Sequence, residues 1–170
     1  MDELADLPTP VYAAAAPLSD LRAPELLVVV STRLYVLPRV ASSPRADWRS
    51  GLRSSGVSEA GVSAFHAFFT IVGHGQTRPL DIHCTCRRVL GADEARLLQL
   101  ISLLQHDRPE AAEAILGDWL APTARRLAAS QACMMATALK AAGLTIPWRH
   151  AEAAAMRRLD RIDSGLALLH

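Results

Sequence analysis

The stretch GADEARLLQLISLLQH, residues 91–106, decides the fold that the sequence predicts. Asp93 and Glu94 stand in its first turn, where negative side chains stabilise a helix because the helix dipole is positive at that end. A wide apolar face follows, made of Leu97, Leu100, Ile101, Leu103 and Leu104. A face of this width is typical of a helix that other elements cover on several sides. We therefore predict a central helix around which the rest of the chain packs.

The segment DRPEAAEAILGDWL, residues 107–120, predicts a second helix directly downstream. Asp107 and Glu110 have the spacing of a capping box, with Asp107 as the cap, and Pro109 suits a first helical turn. The apolar positions recur at helical spacing: Ala112, Ile115, Leu116, Trp119 and Leu120. This regularity makes the segment the clearest amphipathic helix in the sequence.

Two more helices are predicted towards the C-terminus. Pro122 begins one that runs to a cap at Gly143. Its predicted apolar face is Leu127, Met134, Met135, Ala138 and Leu139. The other covers about 149–169 and carries a narrow apolar stripe, typical of a seam on the domain or on a second copy of the chain. The stripe is Ala155, Leu159, Ile162, Leu166 and Leu169.

Three helices are predicted before the central one. Residues 24–37 begin with a proline, as a helix does, but hold a β-branched run that also suits a strand; we favour a buried helix because partner strands are few. Residues 43–56 predict a short helix with Ser43 as its cap. Residues 58–75 predict a third, capped by Ser58. Its apolar face is Val62, Phe65, Phe69 and Val72, with Phe68 beside it.

These segments together predict a mainly α fold. We expect a single-domain bundle of about six or seven helices, with a short extended segment near 80–86. Prolines interrupt residues 1–20, which are therefore expected to form an N-terminal arm. Residues 21–170 are expected to form the single helical domain.

Composition excludes several classes of protein. Hydrophobic residues make up 51% of the chain and the formal net charge is +1, which argues against disorder. So small a charge provides no field for nucleic acid or anionic membranes. The longest apolar run, residues 26–37, is broken by Arg33 and is too short to span a bilayer, and the N-terminus lacks the pattern of a signal peptide. We expect a cytoplasmic protein that binds neither membranes nor nucleic acid.

The segment LDIHCTC, residues 80–86, holds His83, Cys84 and Cys86 within four positions. Its alternating pattern favours an extended connector that lays both cysteines on the core, where free cysteine behaves as a small apolar side chain. The chain has three cysteines, an odd number, and a reducing compartment is expected. A disulfide framework is therefore not predicted.

Two other interpretations of this segment stay open. A zinc site would use His74, His83, Cys84 and Cys86, although structural zinc sites usually space their cysteines by two to four residues. A redox site would use the two thiols as a disulfide pair, although the usual spacing is C-x-x-C. We expect no cofactor, with zinc as the alternative.

The wider segment RPLDIHCTCRRVLGADEARLLQLISLLQ, residues 78–105, resembles small uncharacterised Ala- and Arg-rich proteins of alphaproteobacteria. The resemblance covers about the middle half of the chain. It implies a bacterial lineage and a cytoplasmic compartment, and it implies no activity and no functional residue.

The sequence contains no recognised catalytic motif: no nucleophile elbow, Walker loop, dinucleotide fingerprint or zinc-protease helix. We assign no catalytic residue and expect a non-enzymatic protein-interaction module, a homodimer that associates through the 149–169 helix or the N-terminal arm. One alternative is a metal- or redox-responsive regulatory protein that uses the HCTC segment. Another is a small enzyme or ligand-binding protein with a helical pocket near His66 and Gln131.

Overall fold

The computed structural model describes residues 12, 15–36 and 47–149. Within these ranges the chain forms a short 3₁₀ turn, Leu18–Asp20, followed by six α-helices and no strand. The helices are α1 (Ala23–Val36), α2 (Trp48–Ser54), α3 (Glu59–Gly75), α4 (Ala92–Gln105), α5 (Pro109–Trp119) and α6 (Pro122–Ala141). The prediction of a mainly α bundle is confirmed, as is the preference for a helix in the 24–37 segment. The predicted 149–169 helix lies outside the described residues, except for Arg149.

Helix α4 lies at the centre of the bundle, as its wide apolar face predicts. It contacts α1, α5 and α6, while α3 packs along α6 and α2 joins α1 to α3. The side chains of Leu97, Leu98, Leu100 and Ile101 are almost completely buried. At α3 the predicted cap is confirmed, because the Ser58 hydroxyl accepts a hydrogen bond from the Gly61 amide.

The start of α5 differs from the prediction. Asp107 does not cap α5; it has a φ of 57°, in the left-handed region, and it ends α4. The amide of Arg108 donates to the Leu103 carbonyl at 2.9 Å and the amide of Asp107 to the Leu104 carbonyl at 3.4 Å. This is a Schellman arrangement, in which aspartate tolerates the left-handed position better than most residues. Asp107 therefore ends α4, at the position where the sequence pattern predicted the N-cap of α5.

The start of α2 also lies elsewhere than predicted. The described helix begins at Trp48, and the Asp47 carboxylate caps it by accepting from the Arg49 amide. The predicted cap, Ser43, lies outside the described residues.

The buried face of α6 was predicted wrongly in part. Leu127 is 58% exposed and Met134 is 48% exposed. The residues that α6 buries are mostly small: Ala128, Ala132, Met135, Ala136 and Leu139. The prediction followed the largest apolar side chains, but the close approach of α3 leaves room mainly for alanine along the shared seam.

Gly61 marks the closest point of the α3–α6 seam. A Cβ built on Gly61 would collide with the Ala138 methyl group and lie 2.8 Å from Cγ1 of Val57. We expect Gly61→Ala to lower the free energy of unfolding by about 1 to 3 kcal/mol, because a rigid methyl cannot move aside. Urea denaturation measures this. Gly73→Ala on the same helix is the control, since no described atom lies within 4 Å of its Cβ.

A second variant identifies the cause of that loss. Adding Ala138→Gly to Gly61→Ala moves the methyl group to the other side of the seam, so part of the lost stability should return. The recovery is partial because glycine inside a helix costs about 1 kcal/mol relative to alanine. Purely additive losses in the double variant would contradict the steric explanation.

Candidate functional site

The connection between α3 and α4 contains the HCTC segment, and it is not the extended strand that its alternation predicted. Residues 80–84 are irregular and a turn follows at residues 85 and 86. Cys84 and Cys86 are exposed, so the prediction that they pack on the core is wrong. The physical reason is a buried ion pair beneath the loop, which binds the backbone of the segment and curls it.

The sulfur atoms of Cys84 and Cys86 form a disulfide bond. This corrects the expectation that the chain would contain no disulfide. The third cysteine, Cys133, is a free and exposed thiol on α6.

Arg33 of α1 and Glu94 of α4 form the ion pair beneath the loop. Both side chains are buried, with 1% and 0% of their surface exposed, and both guanidinium–carboxylate bonds measure 2.7 Å. The remaining N–H groups of Arg33 donate to loop carbonyls: Arg87 at 2.6 Å, Val89 at 2.8 Å and Cys84 at 3.3 Å. Glu94 in turn accepts from the amides of Gly91 and His83. The loop therefore folds around one buried charge pair, which satisfies its backbone groups.

Asp93 fixes the beginning of the same loop. Its buried carboxylate accepts two 2.8 Å bonds from Arg78, one from the Asp81 amide and one from Nε1 of Trp119. Burial alone would raise the pKa of Asp93, but the hydrogen bonds from Arg78, Asp81 and Trp119 outweigh burial and hold it below the usual range. Arg78 also bonds Asp118, near the end of α5. The disulfide thus lies on the exposed part of a loop that buried carboxylates anchor from below.

The four candidate zinc ligands are not assembled as a metal centre. His83 Nδ1 lies 3.1 Å from the Val89 carbonyl and Nε2 lies 3.4 Å from Asp81. His74 is exposed in the last turn of α3. In the part of the chain that the structure describes, no three His, Cys, Asp or Glu side chains are grouped in a way that could hold a metal ion. The two sulfurs bond each other and would have to be reduced before they could bind zinc.

The pocket predicted near His66 and Gln131 coincides with neither of two cavities lined by described residues. His66 is exposed and its Nδ1 lies 3.0 Å from the Tyr35 hydroxyl. One cavity, about 270 Å³ including space open to solvent, lies between α4 and the 147–149 segment. It is lined in part by Gln99, whose amide nitrogen has no hydrogen-bond partner among the described residues. The other cavity is an open groove along α6 beside Met134.

A second buried carboxylate, Glu25 of α1, joins two distant parts of the chain. The Tyr12 hydroxyl donates to it, and Arg149 donates two bonds of 2.9 and 2.8 Å. The Arg149 guanidinium also lies 4.9 Å above the centre of the Tyr12 ring, in cation–π contact. Burial alone would raise the pKa of Glu25, but the hydrogen bonds from Arg149, Tyr12 and the Arg22 amide outweigh it and hold the pKa below 4.5.

Acidification should therefore weaken the folded state through Glu25. A carboxylate with a lowered pKa contributes stability that is complete above the pKa of the unfolded chain and is lost as the pH falls through the folded pKa. We expect the free energy of unfolding to fall below about pH 4.5, the ordinary value for glutamate. Urea denaturation between pH 7 and pH 3 measures this. Glu25→Gln should lower stability at pH 7 and flatten the acid slope; a slope equal to that of the unsubstituted chain would contradict the assignment.

Sequence reasoning missed most of the groups that organise this site. Arg33 was interpreted only as a break in an apolar run, and Asp93 and Glu94 only as residues of the first turn of a helix. The one available signal was an arginine within an otherwise apolar helix, because a buried arginine requires a carboxylate partner. The sequence contains no sign of which carboxylate that partner is.

Comparisons with known proteins add no relative: no protein-family model, no curated protein and no solved structure matches the chain. Within the described ranges, none of the helices has the length and apolar character needed to cross a membrane.

Proposed function

We propose that this protein is a redox-responsive regulatory protein whose sensing element is the Cys84–Cys86 pair. The observation that carries the proposal is an exposed disulfide, closed across a single intervening residue, on a loop that buried ion pairs otherwise hold in place. We further propose that the protein acts in the cytoplasm, where disulfides are usually transient and serve redox sensing or catalysis.

The size of the disulfide ring argues against a role as a structural staple. The bond closes a loop of residues 84, 85 and 86 only. The chain-entropy relation assigns such a loop about 1.6 kcal/mol, against about 4.7 kcal/mol for a loop of about 100 residues. Both cysteines are also exposed, so the bond protects no buried surface. Opening it would therefore cost the fold little, as a reversible switch requires.

The switching reaction is thiol–disulfide exchange with a cellular thiol. The thiolate of the reductant attacks one cysteine sulfur and the S–S electron pair leaves on the other, which takes a proton from water. A second thiol of the reductant then displaces the first protein sulfur. Two electrons and two protons reach the protein, and the reductant leaves as its own disulfide. Reduction frees the turn at residues 85 and 86, while Arg33 still holds the carbonyls of Arg87 and Val89.

The decisive experiment is a redox titration of a Cys133→Ser variant in glutathione buffers, followed by alkylation and mass measurement. We expect reversible two-electron reduction with a midpoint above about −300 mV, in the range of regulatory rather than structural disulfides. Hydrogen exchange should change within residues 80–91 and remain unchanged in the buried helices. A bond that excess dithiothreitol cannot reduce, or a reduction that unfolds the whole domain, would refute the proposal. Uptake of one zinc per reduced chain would favour metal-responsive regulation instead.

Self-association is a second candidate function, supported by the exposed apolar side chains of α6. Leu127 and Met134 lie two turns apart on the outer surface of this helix, each about half exposed. Native mass spectrometry of the full chain tests the candidate. We expect a dimer that Leu127→Glu with Met134→Glu dissociates and that Thr123→Glu, an exposed control on α6, does not. A monomer in the unsubstituted protein would refute it.

A further inference from the structure

We propose that the Cys84–Cys86 disulfide exchanges preferentially with anionic thiols, and that its physiological reductant is a low-molecular-weight thiol that carries carboxylates. This inference rests on the proposed redox function and names the chemical class of its reactant. The observation behind it is the charge of the loop segment that follows the disulfide.

Two arginines lie next to the exposed disulfide. The Arg87 amide donates to the Cys84 carbonyl at 3.1 Å, which closes a four-residue turn. In such a turn the first and last Cα atoms are less than about 7 Å apart. Arg88 follows directly, and both arginine side chains are exposed. Neither guanidinium forms an ion pair with any described carboxylate.

The charged groups buried beneath the loop are paired with one another. Arg33 and Glu94 neutralise each other below the loop, and Arg78 neutralises the buried Asp93. Asp81 is the remaining carboxylate of the 80–91 segment, and its side chain is 52% exposed. Two arginines that pair with no described carboxylate, against the one negative charge of Asp81, give the 80–91 segment itself a net positive charge.

The expected preference follows from Coulomb's law. One net positive charge about 7 Å from a reactant charge changes the local concentration of the reactant roughly threefold in water. An anionic thiol should gain this factor and a cationic thiol should lose it, which makes a difference of about tenfold between them. The Debye length is about 30 Å at 10 mM ionic strength and about 3 Å at 1 M, so salt should abolish the difference.

The test compares three reductants on the full chain carrying Cys133→Ser. The probes are 2-mercaptoethanesulfonate, 2-mercaptoethanol and cysteamine, which are anionic, neutral and cationic. Each rate is divided by the rate of the same thiol with 2-hydroxyethyl disulfide, which removes differences in intrinsic nucleophilicity. At 10 mM ionic strength we expect the normalised rates to fall in the order given, with about tenfold between the extremes. At 1 M salt they should converge.

Variants of the two arginines assign the effect to the loop. Arg87→Gln with Arg88→Gln should remove the preference for the anionic thiol, while Arg126→Gln, an exposed arginine of α6, should preserve it. Equal normalised rates at low salt would overturn this inference and leave the redox function standing. A disulfide that none of the three thiols can reduce would overturn both.

Discussion

Replacing Arg33 with methionine is expected to lower the free energy of unfolding by about 3 to 5 kcal/mol. Methionine fills much of the space but supplies no positive charge and no N–H donors. Glu94 would then be buried without its partner, and three loop carbonyls would each lose the donor that Arg33 supplies. Urea denaturation at pH 7 measures the loss.

The matched control is Arg53→Met. Arg53 also pairs with a glutamate, Glu59, but both side chains are largely exposed to solvent. We expect no resolved change in the urea midpoint, because water screens an exposed pair. A loss below about 1 kcal/mol for Arg33→Met would contradict a buried, uncompensated Glu94.

Trp119→Ala is expected to be about equally damaging, with a loss of about 3 to 5 kcal/mol. Trp119 is 2% exposed and is among the largest buried side chains, so truncation leaves a large cavity. The substitution also removes the indole N–H that donates to Asp93 at 2.9 Å. Thermal and urea unfolding both measure the effect.

Two further substitutions separate the contributions of Trp119. Trp119→Phe keeps most of the packing and removes the hydrogen bond, so a smaller loss of about 1 to 3 kcal/mol is expected. Val36→Ala shortens an apolar side chain that is 51% exposed and should change stability little. Equal losses for Trp119→Phe and Trp119→Ala would assign the effect to the hydrogen bond rather than to packing.

Helix positions were predictable because each helix carries its own local signals. Prolines in first turns, the Ser58 cap and the repeats of apolar residues located α1, α3, α5 and α6 to within a few residues. The buried face of α6 was less predictable, because it depends on how closely α3 approaches. Glycine at position 61 and alanine at position 138 make that approach possible. Their contact forms only in the folded chain, and no local sequence pattern indicates it.

Only the residue types of the candidate site could be predicted from the sequence, and not their arrangement. The HCTC segment was singled out by its residue types, but its alternating pattern predicted burial of the cysteines. Arg33 overrides that pattern from 51 to 56 positions away by binding the loop carbonyls. Pairing a buried charge of this kind outweighs the alternating apolar pattern, because leaving the charge unpaired costs several kcal/mol. Long-range ion pairs therefore set the shape of this loop, and a single sequence does not reveal them.

The Glu25 cluster has a consequence for the two ends of the described chain. Tyr12 and Arg149 are 137 positions apart in sequence, yet both bond the same carboxylate. Residues 12 and 149 therefore lie next to each other in the folded chain, with Glu25 between their side chains. A single carboxylate therefore holds together the two ends of the described chain, and its loss would release both at once.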